Sequence, residues 1–208
     1  MAKKKSPKAN INLSITIDYS QRMSDWEMWV NKADELIEAA KLLEPHVRES
    51  WNIITTDFEE GRYTDPLKSP RKHPPNPQSA YFMLVAFVLE NLMKSIVIRS
   101  REKEYHNRLF RRLPGDVKTH DLWGLSKKAK LHTTLEEEDL LRRLSRQSSW
   151  AGRYPIPIED AHLKNIETYS DDKSYLTAVF YPNDVNRLSN LLSRVRKLDS
   201  YNPNSAEI

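Results

Sequence analysis

The 208-residue chain contains no cysteine and only four glycines. Without cysteine there can be no disulfide, no thiolate metal site and no cysteine nucleophile. The few glycines form neither the GxGxxG pattern of dinucleotide-binding folds nor the GKS or GKT ending of a phosphate-binding loop. The sequence therefore disfavours both common classes of nucleotide-binding α/β enzyme.

The chain also lacks the patterns of a signal peptide, a membrane span and a histidine metal site. The basic start MAKKK is not followed by an apolar stretch of the length that a signal peptide needs. The longest apolar run, 80–89, is too short to cross a bilayer. HExxH and HxxxH spacings do not occur. We expect a cytoplasmic protein that needs no metal or other cofactor and does not enter a membrane.

Charge is divided unevenly along the chain, although the net charge is only +4. Residues 94–130 hold eleven basic and four acidic side chains, whereas residues 24–60 hold three basic and ten acidic ones. Such a division can steer an anion to one side of the molecule and a basic partner to the other. The plainer interpretation is two solvated helix faces of opposite sign.

One segment is apolar on nearly every side. Fifteen of the nineteen residues at 80–98 are apolar. This pattern predicts a helix from residue 79 to about residue 101 that lies in the middle of a helical bundle. Glu90 and Lys94 are four residues apart, so we expect them to pair on its one polar strip.

Two helices are predicted before this segment. Ser24 and Glu27 have the spacing of a capping box, and apolar residues at helical spacing extend the first helix to about Leu43. Pro45 is placed to open a second helix, which Gly61 would end.

Proline and capping signals organise the rest of the chain. Residues 62–78 hold five of the twelve prolines, so we expect an exposed loop there. Thr119 is a candidate cap for a short helix, and Thr134 and Glu137 repeat the capping-box spacing. A last amphipathic helix is predicted to begin near Asn183.

Two short segments have the pattern of β-structure. Apolar and polar residues alternate at 11–17, and the segment at 175–181 also looks extended and could pair with it. The predicted fold class is all-α, an antiparallel helical bundle with a minor β element or an extended N-terminal arm. We divide the chain into a basic arm at 1–23 and a single bundle at 24–208.

The order of these segments resembles that of the HEPN domains, over roughly residues 79–198. The resemblance is carried by the helix LENLMKSIVI, by His120 and Asp121 in HDLWGLSKKAKL, and by Arg153 and Tyr154 in SRQSSWAGRYP. It implies a helical bundle, frequent dimerisation, and RNA cleavage, nucleotide binding, toxin–antitoxin pairs or phage defence. We therefore expect RNA or a nucleotide as ligand and a homodimer as the assembly, and we also consider a protein partner.

Active members of that family are metal-independent ribonucleases in which four to six residues separate an arginine from a histidine. Arg101 and His106 have four residues between them, so the resemblance makes them the candidate catalytic pair. Histidine can move protons near neutral pH, while arginine stabilises charge at phosphorus. In active members the motif lies near the start of the last core helix, whereas here it follows the buried helix. The alternative is a plain solvated helix end.

The candidate RNA- or nucleotide-binding residues lie in the basic segment and at the two later motifs. They are Arg99, Arg108, Arg111, Arg112, His120, Asp121, Arg153 and Tyr154. For His120 we also consider a structural role, in capping a helix or packing against Trp123. The predicted function is a HEPN-like protein that binds or cleaves RNA, in phage defence or a toxin–antitoxin system. The alternative is a non-catalytic dimerising module that binds a protein or a nucleotide.

Overall fold

Helices are the secondary structure that the described residues adopt. A computed structural model describes residues 7–72, 76–153 and 180–200. The helices are α1 Pro7–Ser24, α2 Trp26–Glu59, α3 Gln78–Ser100, α4 Glu102–His106, α5 Leu122–Lys128, α6 Leu135–Arg146 and α7 Asp184–Ser200, and a π-helical turn, Gln147–Ala151, continues α6. Within these ranges no strand occurs, which confirms the all-α fold class. The predicted β segment at 175–181 lies outside the described residues except for its last two.

α3 lies at the centre of the fold. It packs against α2, α4, α5, α6, the π-helical turn and α7. By length and composition alone it could cross a bilayer, yet 72% of its most apolar window is buried inside the protein. Removal of this apolar surface from water is the main favourable term in folding. The predicted central helix is confirmed.

α2 is one continuous helix of 34 residues, so the prediction of two helices divided at Pro45 is wrong. Proline removes one N–H donor from the helix, but the burial of apolar side chains before and after Pro45 offsets that loss. Ala33, Ala40 and Val47 recur every seven residues and are at most 1% exposed. These small side chains let α2 lie close along α3. Gly61, with a φ of +68°, follows the end of the helix as predicted.

Two of the predicted helix caps are displaced by one or two residues. Asp25, not Ser24, caps α2, and its carboxylate accepts a hydrogen bond from the Glu27 N–H at 3.1 Å. Asp121, not Thr119, caps α5. Aspartate and the hydroxyl residues are all good caps, so spacing alone could not choose between neighbours of these types.

α6 and α7 are tied together by a buried ion pair. The predicted capping box of Thr134 and Glu137 is confirmed at the start of α6. Asp184, at the start of α7, is fully buried, and its carboxylate accepts a hydrogen bond from the Arg143 guanidinium at 2.6 Å. Because separating the two would leave a buried charge without a counterion, this pair fixes α7 against α6.

The strand or extended arm predicted at 11–17 is wrong, because these residues belong to α1. No strand is available as a partner among the described residues, and a helix satisfies the backbone donors and acceptors locally. α1 packs against α4 and the loop that follows it, where the Ser20 hydroxyl donates to the Arg108 carbonyl at 3.0 Å. Ile15 and Tyr19 stay 62% and 36% exposed.

The proline-rich loop after α2 is held at its base by two carboxylates. Asp57 is fully buried and accepts a hydrogen bond from the Arg71 N–H at 2.7 Å. Glu60 accepts from the Arg71 guanidinium at 2.7 Å, and hydrogen bonds from Arg62 and Arg71 lower the pKa of Glu60. The first part of the loop, as far as residue 72, therefore folds back onto the end of α2.

Candidate functional site

α3 carries two charged side chains within its buried stretch. Glu90 and Lys94 are 6% and 4% exposed, and Lys94 Nζ lies 2.6 Å from Glu90 Oε1. The predicted pairing is confirmed. Either charge alone at this depth would cost on the order of several kcal/mol. Since two apolar residues could fill the same space at lower cost, a buried ion pair here marks a candidate functional site.

The second carboxylate oxygen of Glu90 meets the imidazole of His120. His120 Nδ1 lies 2.9 Å from Glu90 Oε2. His120 precedes α5, whose start is fixed by the burial of Leu122 and by the hydrogen bond from the Leu122 N–H to Ser145 Oγ at 2.9 Å. The fold thus brings the LENLMK helix and the HDLW segment together. We call Glu90, Lys94 and His120 the carboxylate–histidine cluster.

The carboxylate–histidine cluster is enclosed except at the imidazole. The Glu90 side chain is 8% exposed, whereas the His120 side chain is 58% exposed. Trp29 of α2 closes one side, with its ring centroid 5.5 Å from Lys94 Nζ. Because Nδ1 faces a carboxylate, we expect Nδ1 to carry the proton in the neutral imidazole and Nε2 to have the lone pair. Such a histidine can accept a proton at Nε2 while the contact with Glu90 keeps the ring in this orientation.

Arg101 and His106, the predicted catalytic pair, do not line the same cleft. The Arg101 guanidinium donates to Glu104 at 2.7 Å and also pairs with Asp116. His106 lines a groove of about 250 Å³ between α1 and α4, and Arg101 is not among the lining residues. His106 Nδ1 lies 3.1 Å from the Glu102 carbonyl oxygen. Two carboxylates therefore engage the arginine, and the catalytic role of the pair stays a prediction.

Arg99 and Arg108 lie against aromatic rings. Arg99 Cζ is 5.0 Å from the ring centroid of Trp26. Arg108 Cζ is 5.5 Å from the ring centroid of Phe110, and its guanidinium pairs with Glu104 at 3.2 Å. Both side chains thus contribute to packing, and their contacts with RNA stay predictions.

The remaining binding candidates are divided among several places. Arg111 and Arg112 are exposed in the connection between α4 and α5. Asp121 caps α5 with its carboxylate. Arg153 donates to a carbonyl of the π-helical turn at 2.6 Å, and Tyr154 lies outside the described residues. Among the predicted binding residues that the structure describes, His120 is thus the one that contacts a buried carboxylate.

Sequence reasoning missed the acidic partner of His120. We considered capping of a helix and packing against Trp123, whereas the structure pairs His120 with Glu90. One signal could have indicated this contact. Two charges inside an otherwise apolar helix need every polar atom satisfied, and a single lysine does not satisfy both oxygens of a carboxylate.

Comparison of the chain with protein-family models, with curated proteins and with solved structures finds no match. The fold and the site therefore define the protein as an all-α chain in which a buried ion pair contacts an exposed histidine. The resemblance to HEPN domains depends on the sequence motifs and stays a hypothesis.

We predict that Lys94→Met lowers the free energy of unfolding by about 3–5 kcal/mol, because it leaves the Glu90 carboxylate buried without its counterion. The double variant Glu90→Gln/Lys94→Met should recover most of this loss, since it removes both charges. Urea denaturation followed by circular dichroism measures the free energies of unfolding of the wild type and of both variants.

A matched control is the exposed pair on α2, in which Lys41 Nζ lies 2.6 Å from Glu38 Oε1. Lys41→Met should change the free energy of unfolding by less than about 1 kcal/mol. If the double variant at Glu90 and Lys94 is as unstable as Lys94→Met alone, the instability of Lys94→Met does not come from an unpaired Glu90 carboxylate.

Proposed function

We propose that the protein is a HEPN-like RNA-binding protein, with its helices in an antiparallel bundle, that cleaves RNA without a metal. His120 is the group that transfers the proton. The observation that carries this proposal is the 2.9 Å contact between His120 Nδ1 and the buried Glu90 carboxylate. The resemblance to HEPN domains supports RNA as substrate and supplies phage defence or a toxin–antitoxin pair as the setting.

The chemistry needs a base, an acid and positive charge. His120 Nε2 takes the proton from a ribose 2′-hydroxyl, whose oxygen attacks the adjacent phosphorus. The bond from phosphorus to the 5′ oxygen breaks, and the leaving oxygen receives the proton. The products are a 2′,3′-cyclic phosphate and a 5′-hydroxyl. Glu90 orients the imidazole through both transfers by accepting the hydrogen bond from Nδ1.

Binding of the RNA backbone fits the charge of the surrounding chain. Residues 94–130 carry eleven basic and four acidic residues, and this range includes His120. The exposed Arg111 and Arg112 lie in the connection that leads from α4 to His120 and α5. Contacts from such side chains to phosphates release counterions, so the affinity for RNA should fall steeply as salt is added.

We predict that His120→Ala slows cleavage of a mixed RNA pool by at least about 100-fold, because general acid–base catalysis contributes a factor of this order or more. The assay is run in chelator, with product ends analysed for the cyclic phosphate. His132→Ala is the matched control, because His132 is also exposed but lies in the loop before α6; it should leave the rate unchanged.

The same assay separates the two candidate sites. If cleavage persists in His120→Ala but is lost in Arg101→Ala and His106→Ala, the reaction belongs to the pair at α4. If the wild-type protein cleaves no RNA in any condition, the enzymatic part of the proposal is wrong, and RNA binding is then tested alone.

A second candidate function, a dimerising interaction module, is favoured by the exposed side of α1. Ile15 and Tyr19 lie one helical turn apart and are 62% and 36% exposed. Two copies of α1 placed side by side would bury these apolar groups, in keeping with the homodimer that the family resemblance implies.

We predict that the wild-type protein sediments as a dimer and that Ile15→Ser/Tyr19→Ser sediments as a monomer, because the substitutions remove the apolar contact. Analytical ultracentrifugation measures both states. Leu67→Ser is the control, since Leu67 is 94% exposed on the proline-rich loop. A wild-type monomer, or a dimer that survives the double substitution, would contradict an interface at α1.

A further inference from the structure

Two cations meet one indole ring where α5 packs against α6. Lys127 Nζ lies 3.2 Å from the ring centroid of Trp123, and Arg142 Cζ lies 3.6 Å from the same centroid. We call Trp123, Lys127 and Arg142 the cation–indole cluster. None of the three belongs to the carboxylate–histidine cluster or to the binding residues that the sequence suggested.

The packing of the two helices places these side chains together. Trp123 and Lys127 are one turn apart on α5, while Arg142 comes from α6. The hydrogen bond from the Leu122 N–H to Ser145 Oγ, at 2.9 Å, fixes the start of α5 against α6. Ser145 is one turn beyond Arg142, so the same hydrogen bond sets the distance between Arg142 and the indole.

Neither cation has an acidic partner within the part of the chain that the structure describes. Lys127 and Arg142 make no ion pair there. Nearby arginines on the neighbouring helices differ, since Arg143 pairs with Asp184 at 2.6 Å and Arg194 pairs with Glu137 at 2.6 Å. Within the described residues, the cation–indole cluster therefore carries two positive charges that no carboxylate pairs with.

The aromatic ring explains how the two charges can share one place. An indole face attracts a cation, which partly offsets the repulsion between the ammonium and the guanidinium. Contact with the ring also restricts both long side chains, so less entropy is lost when a ligand binds them. At 3.2 and 3.6 Å from one centroid, the two cations lie on opposite faces of the ring. A phosphate at the edge of the indole is attracted by both charges.

We propose that the cation–indole cluster binds a phosphate group, either of an RNA backbone or of a free nucleotide. The planar guanidinium of Arg142 can donate two hydrogen bonds to one phosphate, and Lys127 adds a compact charge. Trp123 follows His120 by three residues on the segment that starts α5. The site would thus hold a phosphate on the same structural element as the proton-transfer group. The choice of RNA as the polymer rests on the proposed function, whereas phosphate binding does not.

The test compares two variants in which the same amount of positive charge is removed. Lys127→Gln/Arg142→Gln removes the proposed phosphate ligands, and Lys32→Gln/Lys41→Gln removes two cations from α2, where the side chains are 55% and 60% exposed. A fluorescein-labelled single-stranded RNA of mixed sequence is titrated with each protein and followed by fluorescence anisotropy, across a series of salt concentrations. Circular dichroism confirms that each variant is folded.

We expect Lys127→Gln/Arg142→Gln to weaken RNA binding at least about tenfold. The slope of log K against log salt should fall in magnitude by roughly 0.7, the value for the one phosphate that the variant no longer neutralises. The control variant should bind within about twofold of wild type and keep its slope. An equal weakening of RNA binding in both variants, or an unchanged slope in the first, would overturn the site.

A second titration, by calorimetry with adenosine 5′-monophosphate, tests whether the site binds the phosphate of a free nucleotide when RNA does not bind. If RNA does not bind but the nucleotide does, and Lys127→Gln/Arg142→Gln abolishes that binding, the RNA-binding function fails and the phosphate site stands. If the wild-type protein binds neither probe, or if the nucleotide binds wild type and that variant alike in the absence of RNA binding, the site is wrong.

Discussion

The enclosure of α3 governs the structure, because a helix packed on nearly every side accepts a charge only where other groups satisfy it. Glu90 and Lys94 meet that requirement by pairing with each other, and His120 takes the second carboxylate oxygen. In the interior, where the effective dielectric constant is low, these contacts are stronger than they would be in water. The orientation of His120 therefore depends on the burial of α3.

The neighbours of α3 determine what surrounds this site. α2, which holds most of the acidic segment, lies along α3 through Ala33, Ala40 and Val47. α5, which holds part of the basic segment, packs on α3 as well. His120 precedes α5, and the cation–indole cluster lies on α5 and α6 just beyond it. The chemistry proposed for His120 and the phosphate site proposed beside it thus share one helix start.

The parts of the fold that could be predicted are those that short-range rules decide. The burial of α3 and the capping box at Thr134 follow from periodicity and spacing. The strand at 11–17 was wrong because the alternation of apolar residues cannot report whether a partner strand exists. The pairing of Glu90 with Lys94 is local, but the contact of Glu90 with His120 spans 30 residues. The local pattern shows that the buried carboxylate needs a further donor, but not which residue supplies it. Likewise, the spacing of the Arg101 motif did not indicate that Asp116 would engage the guanidinium.

The central claim is that the buried Glu90 carboxylate orients the His120 imidazole, and nitrogen-15 NMR of the imidazole rings tests it most directly. When the His120 imidazole of the wild-type protein is neutral, Nδ1 should carry the proton and Nε2 should have the lone pair. In Glu90→Gln, this preference should weaken and the nitrogen shifts of His120 should move. A wild-type His120 with its proton on Nε2, or His120 shifts that Glu90→Gln leaves unchanged, would contradict the account.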